Sequence, residues 1–532
     1  MLRKELFRAV RGLANRFTAF MRARKLRAIA CLGYALFLAT NASVTWGGFF
    51  PFLPYEFQTP TVLNTFFMAQ SFAFALTFFA SAIGSYRLPR MARLFFVKMN
   101  ALPYVFGWVC LIAALYVSER ANTLVLLGGV LVGVGTAGFF MVWQRLLAAK
   151  KASEGNIDLI VGTLLAPVIY FALYLVPVAV TSLLIPFVFM PLFSLCSVLT
   201  SREVDLDQPM FLDQPSDHPR VYRTAIKDYW RSALSIGSLA FSCGIVRSLA
   251  LDSPDVGSVV NAVSMAALFI CSGALLIIWR SKPLQINISS LVRLFFPFAV
   301  TAFVLMPILK APYVSVLAAA LYALYGCSLA VVMMQCAQAS RDRSINPVFI
   351  YGFVAGVIYL FHDLGFIGGK IVGATPFYGL DAYISAAVLS IYILAIMFFL
   401  EQGGFKAALS PGHVHVDRVE LFTTSASSHR SRPSATKAPA ALPTEPEPQL
   451  GYSDKTAKQC ALLRAHFKLS ERETEIVESL ARGSTAPSIA KSLGVSENTV
   501  KTHMKRIYSK LGIHRKGELI DLVNSFDPKA LA

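Results

Sequence analysis

Between Ala28 and Leu400 the apolar residues run in blocks close to 20 residues long, separated by short polar or charged connections. Blocks of that length match the roughly 30 Å of hydrocarbon that a helix must cross. Twelve can be placed, at 28–50, 61–84, 99–117, 123–144, 157–177, 179–199, 232–251, 257–279, 290–309, 313–335, 347–368 and 380–400. The pattern changes after Leu400. From 401 to 453 there is no apolar periodicity, only tracts such as SASSHRSRPSATKAPAALPTEPEPQ, the composition of a flexible tether. From 454 to 532 apolar positions return three and four residues apart, the spacing of small amphipathic helices. The expectation is an all-α chain: a basic N-terminal segment at 1–27, a twelve-helix membrane domain at 28–400, a flexible linker at 401–453, and a small helical domain at 454–532.

Composition supports the membrane assignment: of 532 residues 55% are hydrophobic and 15% charged, with a mean hydropathy of +0.58. Charge adds an orientation. The first 27 residues hold nine Lys or Arg against one acid, a cytoplasmic anchor for anionic headgroups and too long a basic region for a signal peptide. Alternate connections carry Arg87, Arg90 and Arg93; Arg145, Lys150 and Lys151; Arg202, Arg220, Arg223 and Lys227; Arg280 and Lys282; Arg341 and Arg343. The connections between them hold only Arg120, Lys310 and Lys370. An even number of spans with that bias puts both termini in the cytoplasm of a bacterial cell, with the chain crossing its inner membrane many times. The eight cysteines show neither CxxC nor Cys/His ligand spacing, so neither metal nor disulfide framework is indicated. His413 and His415 lack a third ligand. No P-loop, GxGxxG after a strand, or HExxH occurs, so no enzyme activity and no cofactor is expected.

The densest chemical signal lies between Leu469 and Val523. Ser470 followed three residues on by Glu473 is a capping box ahead of Ile476, Val477 and Leu480. Gly483 supplies a stop, Thr485 caps a second helix from Ala486 to Leu493, and Gly494-Val495-Ser496 forms a tight turn into a third helix from Glu497 to Leu511. That third helix has two faces. Val500, Met504, Ile507, Tyr508 and Leu511 form an apolar stripe, whereas Asn498, Lys501, Thr502 and Lys505, flanked by Thr499 and Arg506, lie opposite it. Basic and hydrogen-bonding side chains on the outer face of a helix that follows a tight turn are suited to the major groove of double-stranded DNA. Six Lys or Arg against one acid between Glu497 and Lys516 localise the positive charge on this reader. A helix from Asp454 to Phe467 precedes it, with Cys460, Leu462 and Leu463 expected to pack on the domain. The competing reading is a solvated basic face on a small bundle.

Through LSERETEIV and IAKSLGVSENTVKTHMKRIYSKLGIHRKGELI this stretch resembles the DNA-binding domain of LuxR-type transcription regulators. The resemblance implies a four-helix helix-turn-helix unit. It places Lys501, Thr502 and Lys505 where base- and phosphate-contacting residues lie, and gives the last helix, Lys516 to Val523, the contact of a homodimer. Upstream, two sets of six spans joined by a longer cytoplasmic loop near 200–230 resemble the major facilitator architecture, with Gly84-Ser85-Tyr86-Arg87-Leu88-Pro89-Arg90 at the place of its Gly-rich loop but without that loop's Asp.

Charges inside spans point to an input site, because they are costly in hydrocarbon. Arg247 in the seventh span and His362 and Asp363 in the eleventh reach a similar depth, and in the facilitator architecture both spans border the central cavity. Arg247 and Asp363 are expected to pair across it, with a small-molecule effector competing for them; a purely structural ion pair, or an Arg247 reaching out toward Asp252 and Asp255, remains open. Gln70, Asn41 and Gln335 are further polar candidates for the cavity wall or for interhelical hydrogen bonds. Two function classes follow: a membrane-embedded one-component regulator that senses a small molecule and binds DNA, or a secondary transporter with a regulatory appendage. Spans that serve only as an anchor form a third.

Overall fold

The computed structural model describes residues 27–43, 59–204, 208–212, 215, 219–250, 254–281, 288–374 and 381–401, and within 455–525 all but 482–483, 485 and 494. The expected N-terminal basic segment, the linker, His413 and His415, and the turn residues Gly483, Thr485 and Gly494 lie outside these residues, except Arg27 and Glu401 at the segment edges. Among the described residues all regular structure is helical. The chain divides into two compact units, Met1–Ala274 with Asn287–Val419, and Leu275–Ile286 with Glu420–Ala532.

In chain order the first helices are α1 (Arg27–Asn41), α2 (Pro60–Arg87), α3 (Ala101–Tyr116), α4 (Ala121–Ala149), α5 (Ala152–Tyr174), α6 (Met190–Glu203), α7 (Pro219–Ala250), α8 (Pro254–Ser281), α9 (Ile288–Arg343), α10 (Pro347–Ala374) and α11 (Ala382–Glu401). Against the expected twelve, the described residues hold nine helices long and apolar enough to cross a membrane, or ten if one bent pair counts as a single span. The bent pair is Pro89–Lys98 with α3, which meet at 44° where a π-helical turn, Leu94–Lys98, interrupts the ladder. Two further apolar helices, α1 and the Phe296–Leu309 part of α9, fall short of the length, and the first expected span runs on into residues outside those described.

Two boundaries differ from expectation. Residues 219–230 belong to α7 rather than to a long loop. Tyr222, Ala225 and Tyr229 are buried at helical spacing, Tyr222 packs edge-on against Phe349 at 4.7 Å, and its hydroxyl accepts the Asn346 amide at 3.2 Å. A buried stripe of that kind extends a helix beyond its apolar block. The ninth and tenth expected spans share one hydrogen-bonded run, α9, yet it is not straight. Tyr313 Oη donates to the Ala302 carbonyl at 3.1 Å, whereas a straight helix would separate these residues by about 16 Å. The run therefore turns between Ala302 and Tyr313, an interval whose sequence includes two prolines, each without a backbone donor.

Backbone proximity sets the packing of the membrane unit. A Cβ on Gly135 of α4 would lie 2.7 Å from the Tyr104 backbone of α3. On α10, a Cβ on Gly365 would collide with the Phe241 carbonyl of α7, so the absence of a side chain there lets α7 and α10 run in close contact. At the end of α4, Arg341 of α9 donates to the Leu147 and Lys150 carbonyls at 3.0 and 3.3 Å, and Gln208 donates to the Ala149 carbonyl at 2.6 Å. Those acceptors are terminal helix carbonyls without intrahelical partners, and a cation suits the negative end of the helix dipole.

The second unit contains α12 (Lys455–Phe467), α13 (Glu471–Ala481), α14 (Ala486–Leu493), α15 (Glu497–Leu511) and α16 (Lys516–Ser525). One core joins Cys460 and Leu463 of α12 with Ile476, Val477 and Leu480 of α13, Ile489 of α14, Val500, Ile507 and Leu511 of α15, and Leu519 and Val523 of α16. Leu462, expected in this core, is 42% exposed. Cys460, Leu463 and Phe467 share one helical face, and Leu462 sits on the other side.

Candidate nucleic-acid interface and membrane cavity

Local chemistry fixes α15. The Ser496 hydroxyl accepts the Thr499 amide at 3.1 Å, capping the first turn, and Gly512 closes the helix at φ 66°, in the left-handed region that suits a residue without Cβ. Val500, Ile507 and Leu511 are buried, with Met504 and Tyr508 packed beside them. The helix is therefore held by its apolar stripe, and burial raises the Tyr508 phenol above its ordinary pKa. Asn498, Thr499, Lys501, Thr502, Lys505 and Arg506 are all exposed, on the opposite arc.

These six are not equivalent. The Thr499 hydroxyl lies 2.8 Å from that of Ser496, so it belongs to the cap, and Thr502 Oγ1 donates to the Asn498 carbonyl at 2.9 Å. Lys501 Nζ pairs with Glu497 at 2.6 Å, both side chains well exposed. A surface pair of this kind contributes at most about 1 kcal/mol, which leaves the Lys501 ammonium able to take another partner.

The frame under the helix is tied by polar contacts. The Ser470 amide donates to Glu473 Oε2 at 2.8 Å and the Glu473 amide to Ser470 Oγ at 3.1 Å, a reciprocal capping box at the start of α13. Lys510 of α15 donates to the same Glu473 oxygen at 2.7 Å. That bond, with the Ser470 contacts, holds the Glu473 carboxyl below its ordinary pKa against the opposing effect of burial. At the far end, Glu518 accepts the His514 amide at 2.8 Å, and Lys516 Nζ donates to the Ser484 carbonyl at 3.0 Å.

The membrane unit holds a cavity of about 60 Å³ bordered by α2, α4, α7, α8, α9 and α10. Its polar lining includes Gln70, Arg247, Asn261, Ser264, Tyr322 and His362; aromatic rings of Phe74, Phe140, Tyr325 and Tyr359 supply much of the remainder. On the same measure one water needs about 10–15 Å³, so the space admits several waters or one compact solute.

Arg247, His362 and Asp363 are brought together here, and the link between Arg247 and Asp363 passes through a tyrosine. Arg247 Nη1 donates to Tyr322 Oη at 2.7 Å, and its guanidinium lies 5.1 Å from the Tyr322 ring and 5.6 Å from the Phe67 ring. Tyr322 Oη lies 2.7 Å from His362 Nε2, His362 Nδ1 lies 3.5 Å from Asp363 Oδ1, and Ser71 Oγ donates to that same oxygen. With His362 in the Nδ1–H tautomer, every donor along Arg247, Tyr322, His362 and Asp363 runs in one direction and ends on the carboxylate. Asp363 itself is 3% exposed, and its Oδ2 is buried without a hydrogen-bond partner.

Of the other polar candidates, Gln70 lines the cavity. Asn41 donates to the Phe37 carbonyl within α1 at 2.8 Å, and Gln335 is buried outside the lining. Tyr322, Ser71 and Asn261 were not among the residues singled out from sequence. Asn261 donates to the Ala42 carbonyl at 3.0 Å and to Tyr170 Oη at 2.8 Å, joining α8 to α1 and α5. Its signal was a lone amide near the start of an apolar block; Tyr322 and Ser71 had none that set them apart.

Residues 468–523 match the family described as bacterial regulatory proteins, luxR family. Similar proteins include the transcriptional regulatory protein TdiR of Thauera aromatica, 47% identical over 55 residues, which make up 10% of this chain and 24% of that one. The probable transcriptional regulatory protein NarL of Mycobacterium tuberculosis is 49% identical over 45 residues, 8% of this chain and 21% of that one. YdfI of Bacillus subtilis is 37% identical over 59 residues, 11% and 28% of the two chains. The chain spans about a quarter of the length of these curated relatives. A solved structure, of a bacterial homologue of the iron transporter ferroportin in an outward-facing state, superposes with a TM-score of 0.46 at 11% identity, covering 70% of this chain and 98% of that one. At residues 468–523 the chain carries a helix-turn-helix domain of the luxR family, on the same polypeptide as a bundle of apolar, membrane-length helices.

Proposed function

We propose that the chain is a membrane-embedded one-component transcription regulator: the membrane domain senses a small molecule, and the luxR-family domain binds a promoter sequence in double-stranded DNA. The observation that carries this reading is the outer face of α15. It exposes Lys501, Thr502, Lys505 and Arg506 opposite a buried apolar stripe, on a polypeptide that also encloses a polar cavity among apolar helices. In this reading Lys505 and Arg506 meet phosphates, Lys501, Thr502 and Asn498 reach base edges, Thr499 sets the start of the helix, and α16 pairs two protomers. The proposal includes a twelve-span, six-plus-six membrane domain at 28–400, a tether at 401–453, and both termini on the cytoplasmic side of the inner membrane, where DNA is within reach. Ligand binding acts by favouring one of two states that differ in affinity, and so changes the effective concentration of paired DNA-binding domains.

The test is genome-wide transcription in wild type, a deletion, and a Lys501→Ala/Lys505→Ala strain with normal membrane abundance. The double variant reproduces the deletion, with the affected genes clustered in a few operons. A deletion phenotype that the double variant lacks would instead assign the spans an activity of their own, and transport assays would then replace the regulatory reading.

A further inference from the structure

Cys271 of α8 and Cys327 of α9, both free thiols, share a hydrogen bond. The packing of the two helices brings them together independently. Ser264 Oγ of α8 donates to the Ala319 carbonyl of α9 at 3.2 Å, and a Cβ on Gly326 of α9 would lie 3.5 Å from Leu268 Cδ1 of α8. Contacts that advance along both helices in this order make α8 and α9 parallel. Two turns, or about seven residues, beyond the Ser264 contact, the shared register reaches Cys271 on α8 and the Gly326-Cys327 pair on α9. The two thiols differ in surroundings. Cys327 is half-buried and packs against Met265 and Leu268, whereas Cys271 is exposed.

The outer surface decides what reaches the pair. Next to Cys271 on α8, Phe269 and Ile270 are 44% and 69% exposed, and the thiol lies about 12 Å from the Trp279 end of a membrane-length helix. Charged oxidants are excluded from hydrocarbon at that depth, whereas a lipid-soluble one is at home there. We propose that Cys271 and Cys327 form a redox-active dithiol, which a quinone dissolved in the bilayer oxidises to a disulfide. Two S–H bonds break and one S–S bond forms, while the two electrons and two protons pass to the quinone oxygens and give the hydroquinone. A disulfide holds its Cα atoms roughly 4.4–6.8 Å apart. Oxidation therefore fixes the spacing of α8 and α9 beside Leu268 and Gly326, which both line the cavity. This rests on the reading of the membrane unit as a sensor and deepens it by naming the class of small molecule.

The experiment uses the purified full-length chain in detergent, reduced and kept free of oxygen, to which decylubiquinone is added; its ring carries no hydrogen for a thiol to replace. One equivalent of hydroquinone forms per chain, the chain loses the mass of two hydrogens, and peptide mapping finds Cys271 joined to Cys327. Glutathione disulfide at the same concentration oxidises the pair at least about tenfold more slowly, and Cys271→Ser and Cys327→Ser each lower the hydroquinone yield about tenfold or more. If Cys327→Ser does not fold, Cys271→Ser, a change at an exposed position, decides together with the wild-type peptide map. No hydroquinone, a disulfide between other cysteines, equal oxidation by glutathione disulfide, or a yield untouched by Cys271→Ser would overturn the assignment. So would a pair that closes only with copper–phenanthroline, which reports proximity without quinone chemistry. Promoter output separates this from the sensing reading. A quinone-driven Cys271–Cys327 disulfide, with the operons defined by Lys501→Ala/Lys505→Ala indifferent to Cys271→Ser, leaves the site standing and removes it as the input. Absence of the disulfide, with those operons still driven by another solute, does the reverse.

Discussion

Glu473 shows how one side chain holds the reading helix in place. It closes the capping box of α13 and accepts Lys510 from α15, so one carboxylate ties the helix that anchors the fold to the helix with the basic face. Its pKa is lower in the folded chain than its ordinary value, mainly through the Lys510 bond. The stabilisation is therefore fully present above the ordinary carboxylate pKa and is lost as pH falls through the lower, folded one. Glu473→Gln keeps an oxygen that can accept the Ser470 amide but loses the charge on the Lys510 bond, and should speed hydrogen exchange in the first turn of α13 about tenfold at neutral pH, the scale of one charged hydrogen bond. The wild-type advantage should shrink as the solution is acidified below the carboxylate range; an advantage that stays constant with pH would exclude the titration account. On the outer face, Lys505→Ala should weaken binding to all sequences and lower the slope of log affinity against log salt by about 1. Thr502→Ala should reorder the ranked DNA targets. An unchanged order would remove Thr502 from base contact.

At the scale of elements, backbone proximity is what the membrane helices depend on. Gly365 faces the α7 backbone so closely that no Cβ fits, whereas the nearest atom to a Cβ on Gly368, three residues further along the same helix, is Leu389 Cδ2 at an ordinary 3.8 Å. Gly365→Ala should therefore lower the thermal unfolding temperature of the purified chain in detergent. Gly368→Ala should leave it unchanged or raise it slightly, since Ala exceeds Gly in helix propensity by up to about 1 kcal/mol. Equal effects at the two sites would mean that propensity, not approach, governs α10. The sequence made the helices themselves legible, because a span is written as a run of apolar residues. It did not reveal their interruptions. The π-helical turn at Leu94–Lys98 falls in a run, LFFVK, that reads as ordinary helix, and the start of α7 at Pro219 depends on Tyr222 and Tyr229 meeting residues over a hundred positions away. The capping box at Ser470 and Glu473 was legible for the opposite reason: it is made within four residues.

The same division holds for the whole membrane unit. Arg247, His362 and Asp363 were visible as charges or imidazole in hydrocarbon-length blocks; the Tyr322 hydroxyl that joins them was one aromatic among 65 Phe, Trp and Tyr residues. Together with Ser71 the chain of contacts runs from α7 through α9 and α10 to α2, so it spans helices from both ends of the membrane region. If it acts as one network, its members cannot be removed independently. Tyr322→Phe deprives Arg247 of an acceptor and His362 of its hydroxyl partner, at a cost of about 1–3 kcal/mol for a buried polar group left unsatisfied. Asp363→Asn removes the charge at the other end. Once Tyr322 is gone, the loss at Asp363 should be smaller, giving a coupling of about 1 kcal/mol in a double-mutant cycle on unfolding of the purified chain, although the two residues do not touch directly. Separate sites of that kind usually add to within about 0.3–0.5 kcal/mol. Additivity inside that margin would show that Arg247 and Asp363 are two local contacts, and any influence of a change at Arg247 on α2 would then have to travel by another route.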